Sequence, residues 1–175
     1  MSLINTTVKP FNATAYHNGK FVPVSDADLK GKWSVVVFYP ADFTFVCPTE
    51  IVAFAKLNAE FADRDAVLLG GNTDNEFCKL AWRRAHPDLD RLNHWAFGDC
   101  NGSLVEGLGV RDVTAGVALR ATFIVDPNNV IQHVSVNNLS VGRSPEEILR
   151  ILDGLQSDEL CPCNRQVNGP TLKAA

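Results

Sequence analysis

Five cysteines carry the reactive chemistry of this chain: Cys47, Cys78, Cys100, Cys161 and Cys163. Cys47 stands in the stretch FYPADFTFVCPTE (38–50), where an irregular loop gives way to a helical pattern and a proline follows the thiol. Cysteine is often just a small buried hydrophobe. The position of Cys47 argues for more. At a helix N-terminus, unsatisfied N–H groups and the positive dipole end favour an anion. A thiolate is such an anion, and it is the nucleophilic form of cysteine. Pro48 suits the first helical turn, where its missing N–H is no loss. Thr44 offers a hydroxyl one turn upstream. The combination points to an activated thiol nucleophile.

The remaining thiols fall into two kinds. Cys161 and Cys163 form "CPC" within "SDELCPCNR" near the end of the chain, beside proline and asparagine, where packing gives little reason for them. Cys78, next to Phe77 in a helical pattern, and Cys100 read as packing or spectator residues. An odd count argues against a fixed disulfide framework, and the absence of C-x-x-C weighs against a disulfide oxidoreductase. One C-x-C pair and four dispersed histidines (His17, His86, His94, His133) fall short of the ligand sets of structural zinc, so neither metal nor cofactor is expected.

These residues need elements to position them. "WSVVVFYP" (33–40), "AVLLGGNTD" (66–74) and "ATFIVDP" (121–127) are continuous apolar, β-branched runs that suit strands covered on both faces. "HWAFGD" (94–99) is a weaker strand pattern. "VIQHVSVN" (130–137) follows the turn "DPNN" and should pair antiparallel with the strand before it. Asn18-Gly19 marks a hairpin near the N-terminus. Helical spacing runs through "PTEIVAFAKLNAEFADR" as one helix, through "DNEFCKLAWRRAH" with Asp74 as cap, and through "SPEEILRILDGLQ". The last has Ser144 at N-cap, Pro145 at N1 and Glu147 completing a capping-box pattern. Strands alternating with helices, then a hairpin and a helix, give an α/β domain with a mixed sheet over about residues 1–156 and a short tail over 157–175.

Composition narrows the function classes. A net charge of −4 and a pI near 5.5, with no basic patch beyond Arg83-Arg84, speak against nucleic acid. No apolar run approaches the ~20 residues that span a bilayer, so no membrane partner is expected. No signal-peptide pattern opens the chain, so a reducing, cytoplasmic setting is expected.

"FYPADFTFVCPTE" resembles the active-site motif of the typical two-cysteine peroxiredoxins, among them the bacterial alkyl hydroperoxide reductase peroxidase subunits. The likeness continues through "MSLINT", "TDNEFCKLAW", "GVALRATFIVDPNNVIQ", "VGRSPEEILRILDGLQ" and "ELCP". It implies a thioredoxin-like α/β fold with an N-terminal hairpin extension and a thiol peroxidase acting on hydrogen peroxide, alkyl hydroperoxides and peroxynitrite. At matched positions it implies Cys47 as the peroxidatic cysteine, Thr44 as a hydrogen-bonding partner of the peroxide oxygens, Pro40 as the shield of the pocket, and Arg120 as the distant arginine that closes on sulfur and substrate. Glu50 and Arg143 match the ion pairs that orient Arg120. Cys161 matches the resolving cysteine, supplied by the partner subunit of an antiparallel dimer. Cys163 departs from the commonest pattern and either resolves directly or relays the disulfide to the reductant. The aromatic at Phe77 matches a contact between dimers in a decameric ring. The implied reductant is thioredoxin, a flavoprotein disulfide reductase or a small C-x-x-C protein.

The physics of these roles stands beside the resemblance. A thiolate attacks one peroxide oxygen in line and expels the other, so charge moves along an S···O···O axis. Donors facing both ends stabilise it: the Arg120 guanidinium, the Thr44 hydroxyl and N–H groups at the helix start. A guanidinium beside sulfur also favours the thiolate. The product is a sulfenic acid. Since Cys47 begins a helix, a tail thiol reaches it only by local unwinding. Overoxidation-sensitive members carry a Gly-Gly-Leu-Gly insert and a C-terminal helix ending near Tyr-Phe. Here the region reads "HPDLDRLNHWAFGD" and only Asn164 to Ala175 follow Cys163, so resistance to overoxidation is expected. The alternative reading is an oligomeric thioredoxin-fold scaffold or holdase chaperone with Cys47 structural. Thiol loss on adding peroxide separates the two.

Overall fold

The structure is a computed structural model that describes residues 2–173. Seven strands form one mixed sheet: β1 (Asn12–His17), β2 (Lys20–Ser25), β3 (Trp33–Phe38), β4 (Ala66–Asn72), β5 (Trp95–Gly98), β6 (Arg120–Val125) and β7 (Ile131–Asn137). Their spatial order is β2-β1-β5-β4-β3-β6-β7. β3, β4 and β5 run parallel, while β6 is antiparallel to β3 and β7 to β6. The N-terminal hairpin turns at Asn18 and Gly19, both at positive φ (47° and 79°), the conformation that two-residue hairpin loops require. β1 then attaches the hairpin to β5.

The helices are α1 (Asp26–Leu29), α2 (Cys47–Lys56), α3 (Asn58–Ala62), α4 (Glu76–Ala85), α5 (Pro87–Asp90), α6 (Ser103–Gly107) and α7 (Pro145–Gln156). Both faces of the central strands are covered. One core joins Val36, Phe38, Phe97 and Phe123 to the hairpin and α6, and the other joins Val35, Val37, Ile124 and Phe54 to α7. This explains why the central strands read as unbroken apolar runs. Gly71 is fixed by a close approach, since a Cβ there would lie 2.4 Å from the Phe97 carbonyl oxygen and 2.5 Å from its ring. No helix among the described residues is long and apolar enough to cross a membrane.

Three local expectations need correction. The helix expected across 48–64 is interrupted at Leu57 (φ −92°, ψ 9°), so α2 and α3 are separate. The N-cap of α4 is Asn75, whose side chain accepts from the Cys78 N–H at 2.9 Å. Asp74 accepts instead from Asn72 and from the Asp42 N–H. Ser144 caps α7 by accepting from the Glu147 N–H, but the Glu147 carboxylate turns to Arg150, at 2.6 and 2.7 Å, rather than back to the cap. A charged partner one turn away outcompetes a backbone N–H for that carboxylate.

Candidate active site

Cys47 is the first residue of α2, with Val46 as N-cap and Pro48 next. Its side chain is fully buried, packed with Tyr39, Ile51, Trp82 and Leu89 in a small cluster separate from the two main cores. The N–H groups of Thr49 and Glu50 both return to the Val46 carbonyl (3.1 and 3.3 Å). The helix start therefore commits these donors to its own chain. The donor that reaches the sulfur comes from elsewhere.

That donor is Arg120, at the start of β6 and 73 residues along the chain. Its Nη1 lies 3.4 Å from the Cys47 Sγ and 2.6 Å from Glu50 Oε2, while its Nε donates to the Leu139 carbonyl at 2.7 Å. Glu50, one turn into α2, is also bound by Arg143: Nε at 2.8 Å, Nη2 at 3.1 Å and the backbone N–H at 3.0 Å. Arg143 is held in turn by the Ala121 carbonyl (2.6 Å) and the Thr122 hydroxyl (3.1 Å). All three charged side chains are nearly inaccessible, at 3–4%. Burial opposes the Arg120 charge, but hydrogen bonds to Cys47 and Glu50 outweigh it and raise its pKa. Arg120 is thus a buried, paired arginine. One carboxylate between two guanidiniums leaves an excess positive charge beside the sulfur.

The loop from Pro40 to Val46 forms the other wall. Thr44 is half-buried, and its hydroxyl donates to the Ala41 carbonyl at 3.0 Å. This revises its expected part. With its proton committed to the loop, the oxygen presents lone pairs and accepts rather than donates. Pro40 is half-buried at the loop's start, and Phe43 takes a positive φ of 54°. Phe43 is 58% exposed and Phe45 94% exposed.

Sequence reasoning missed the polar cluster beneath this loop. The buried Asp42 carboxylate accepts from the Tyr39 hydroxyl (2.9 Å), Asn72 Nδ2 (3.1 Å) and Lys79 Nζ (3.0 Å). Lys79 also donates to Asn72 Oδ1. Burial raises the Asp42 pKa and lowers that of Lys79, each opposed by the partner, and burial pushes the Tyr39 hydroxyl well up. One signal was present: Lys79 shares the buried stripe of α4 with Trp82 and Arg83, and a lysine at such a position needs a partner.

The tail thiols lie elsewhere. Cys161 and Cys163 are exposed, and the Cys161 Sγ sits 3.6 Å from the Gly154 carbonyl oxygen and 3.5 Å from the Ser157 hydroxyl, at the end of α7. The tail is nevertheless docked. Asp153 of α7 holds Arg165 Nη1 at 2.6 Å and the Asn168 N–H at 2.9 Å, and pairs with Arg64 at 3.3 Å. Phe77 is 61% exposed and meets Phe21 edge-on, with ring centroids 5.0 Å apart. The fold thus gathers Cys47, Arg120, Glu50 and Arg143 in direct contact, with Thr44 and Pro40 on the adjoining loop. It leaves Cys161, Cys163 and Phe77 outside that cluster.

A family model described as the AhpC/TSA family matches residues 4–134, three-quarters of the chain. The chain belongs to the AhpC/TSA family. It is 53% identical over 154 residues to alkyl hydroperoxide reductase C of Mycolicibacterium smegmatis, covering 88% of this chain and 78% of that one. It is 44% identical over 170 residues to the mitochondrial thioredoxin-dependent peroxide reductase of Mus musculus, covering 93% and 66%. Among solved structures, the reduced 2-Cys peroxiredoxin of Plasmodium vivax superposes with a TM-score of 0.92 at 34% identity, over 99% of this chain and 94% of that one. The seven-stranded sheet with its N-terminal hairpin is therefore the peroxiredoxin variant of the thioredoxin-like fold.

Proposed function

We propose that this protein is a thiol peroxidase of the alkyl hydroperoxide reductase type, with Cys47 as its nucleophile. The observation that carries the reading is the Arg120 guanidinium at 3.4 Å from a fully buried Cys47 sulfur, fixed from behind by Glu50 and Arg143. A cysteine kept as filler would have no use for a buried arginine. The peroxidase activity of relatives named alkyl hydroperoxide reductase C and thioredoxin-dependent peroxide reductase supports the same reading.

In the first step the Cys47 thiolate attacks the protonated terminal oxygen of the peroxide. An S–O bond forms and the O–O bond breaks. Sulfur is oxidised by two electrons, and the departing alkoxide or hydroxide takes a proton from water. Thr44, with its own proton on Ala41, accepts from the attacked O–H and so aligns it. Arg120 Nη1, already directed at the sulfur, stabilises charge as it moves along the axis. Pro40 limits water at the pocket mouth. In the second step a tail thiol condenses with the sulfenic acid, releasing water and leaving a disulfide. Cys161 is the favoured resolver, from the partner subunit, with Cys163 as second resolver or relay. Because the Cys47 sulfur is buried at the first turn of α2, that turn must unwind for the disulfide to form. An external dithiol system, thioredoxin-like, flavoprotein or a small C-x-x-C protein, then restores the thiols. The exposed Phe77 fits a dimer–dimer contact in a ring of subunits. The setting this chemistry suits is a reducing, cytoplasmic one.

One equivalent of hydrogen peroxide should remove two free thiols rapidly and produce a covalent dimer on non-reducing gels. Cys47→Ser should abolish both. A chain that keeps all its thiols would be a scaffold or holdase instead.

A further inference from the structure

The buried Asp42–Lys79 pair has no part in the reaction described above, and an ion pair in a protein interior is weak evidence for stability. Its placement suggests another use. Asp42 lies midway along the loop, two residues after Pro40 and two before Thr44. Its side chain is tied to the end of β4 through Asn72, to α4 through Lys79, and to Tyr39. Its own N–H donates to Asp74 at 2.8 Å. Every tie therefore converges on one residue. The next residue, Phe43, is a non-glycine at φ 54° with an exposed side chain. Such backbone persists only where its surroundings over-determine it. The Phe43 ring meets Trp82 at a centroid distance of 6.0 Å, while Asp42 behind it is held by Tyr39, Asn72, Lys79 and Asp74. The left-handed residue then turns the chain so that Thr44 meets the Ala41 carbonyl, on the near side of Asp42.

We infer that Asp42 is a positioning residue for peroxide attack: anchored by Lys79, Asn72 and Tyr39, it holds the strained Phe43 and so sets the acceptor oxygen of Thr44. The inference rests on the peroxidase reading above and adds to it the residues that aim the loop. Asp42 touches neither sulfur nor substrate in this account. It acts through Thr44, and misplacement of an aligning group by about 1 Å is enough to cost on the order of 100-fold in rate.

The test uses the full chain and the second-order rate of Cys47 oxidation by hydrogen peroxide, with Cys47 alkylation by iodoacetamide as a reaction that does not need Thr44. Asp42→Asn alone strands a buried lysine, so the charge-neutral pair Asp42→Asn with Lys79→Met is used. It should react with peroxide at least about tenfold slower, with alkylation within twofold of the parent. Combined with Thr44→Val, it should be no slower than Thr44→Val alone, because both changes remove the same acceptor. A parental peroxide rate, an equal fall in alkylation, or losses that multiply with Thr44→Val would each overturn the inference. If the paired variant does not fold, Tyr39→Phe, which keeps the ion pair, should slow peroxide severalfold, with the loss absorbed by Thr44→Val. A parental rate or a multiplied loss there overturns it as well. Failure of the peroxidase reading itself would look different: the parent protein would not consume peroxide.

Discussion

Replacing Glu50 by glutamine is the most direct test of how the arginine is held. The Glu50 carboxylate accepts from four groups: Arg120 Nη1 at 2.6 Å, Arg143 Nε at 2.8 Å, Arg143 Nη2 at 3.1 Å and the Arg143 backbone N–H at 3.0 Å. Glutamine keeps one acceptor oxygen. If that oxygen stays with the Arg143 N–H and Nε, the new NH2 group faces Nη1 of Arg120 and Nη2 of Arg143, donor against donor. Two charge-assisted bonds at about 1.5–3 kcal/mol each are lost, about 3–6 kcal/mol in all. Unpairing a buried ion pair independently suggests about 3–5 kcal/mol. With a loss near 4 kcal/mol, a domain stable by about 5–15 kcal/mol still folds, with Tm lower by about 8–16 °C. Arg120 keeps its Leu139 contact, so only part of this reaches the barrier. With about 2 kcal/mol lost from the placement of Nη1, oxidation of Cys47 slows by about 30-fold. Stopped-flow oxidation by hydrogen peroxide, beside thermal unfolding, measures both quantities. A variant that loses stability yet oxidises Cys47 at the parental rate would refute the claim that Glu50 positions Arg120.

Three further outcomes are expected. Repeated turnover at a severalfold excess of peroxide should leave Cys47 largely free of sulfinic acid by mass spectrometry, because residues 86–99 read HPDLDRLNHWAFGD, without the Gly-Gly-Leu-Gly insert of sensitive members. Rapid sulfinylation would contradict this. Arg165→Ala removes the 2.6 Å contact to Asp153 and should raise hydrogen exchange over 160–173 and speed disulfide formation after one equivalent of peroxide; unchanged exchange would show that the clamp does not hold the tail. Burial, then the nearby charges of Arg83 and His17, holds the His94 pKa well below 6.5. The unfolded chain therefore takes up this proton first as pH falls, and stability drops below about pH 6.5 by up to ~1.4 kcal/mol per pH unit until the folded pKa is reached. His94→Gln should flatten that slope in denaturant titrations at pH 5–7; an unchanged slope would place the proton uptake elsewhere.

The strands were legible because a strand buried on both faces needs apolar residues throughout, and β3, β4 and β6 have them. The hairpin was legible from Asn18-Gly19, and the start of α7 from Ser144-Pro145. Each depends on chemistry within a few residues. The break at Leu57 was not legible, since its helical spacing continues unbroken and the interruption lies in one residue's backbone angles. That Asn75 and not Asp74 caps α4 was likewise not legible, because either side chain can accept from a helix N–H. The loop amide of Asp42 decided it by engaging Asp74.

The same division holds for the site. The sequence alone determined that Cys47 begins a helix, that a loop with a hydroxyl precedes it, and that the chain resembles a family using such a thiol against peroxides. Only the tertiary structure decided the rest. It brought Arg120 to the sulfur across 73 residues and set Glu50 between two arginines. It turned the Thr44 proton inward, docked the tail through Asp153, and put Lys79 under Asp42 across 37 residues. Buried charges find partners by proximity in space. Sequence shows that a buried charge needs a partner but not which residue supplies it, because the sheet order that joins β3, β4 and β6 is fixed by packing over the whole chain.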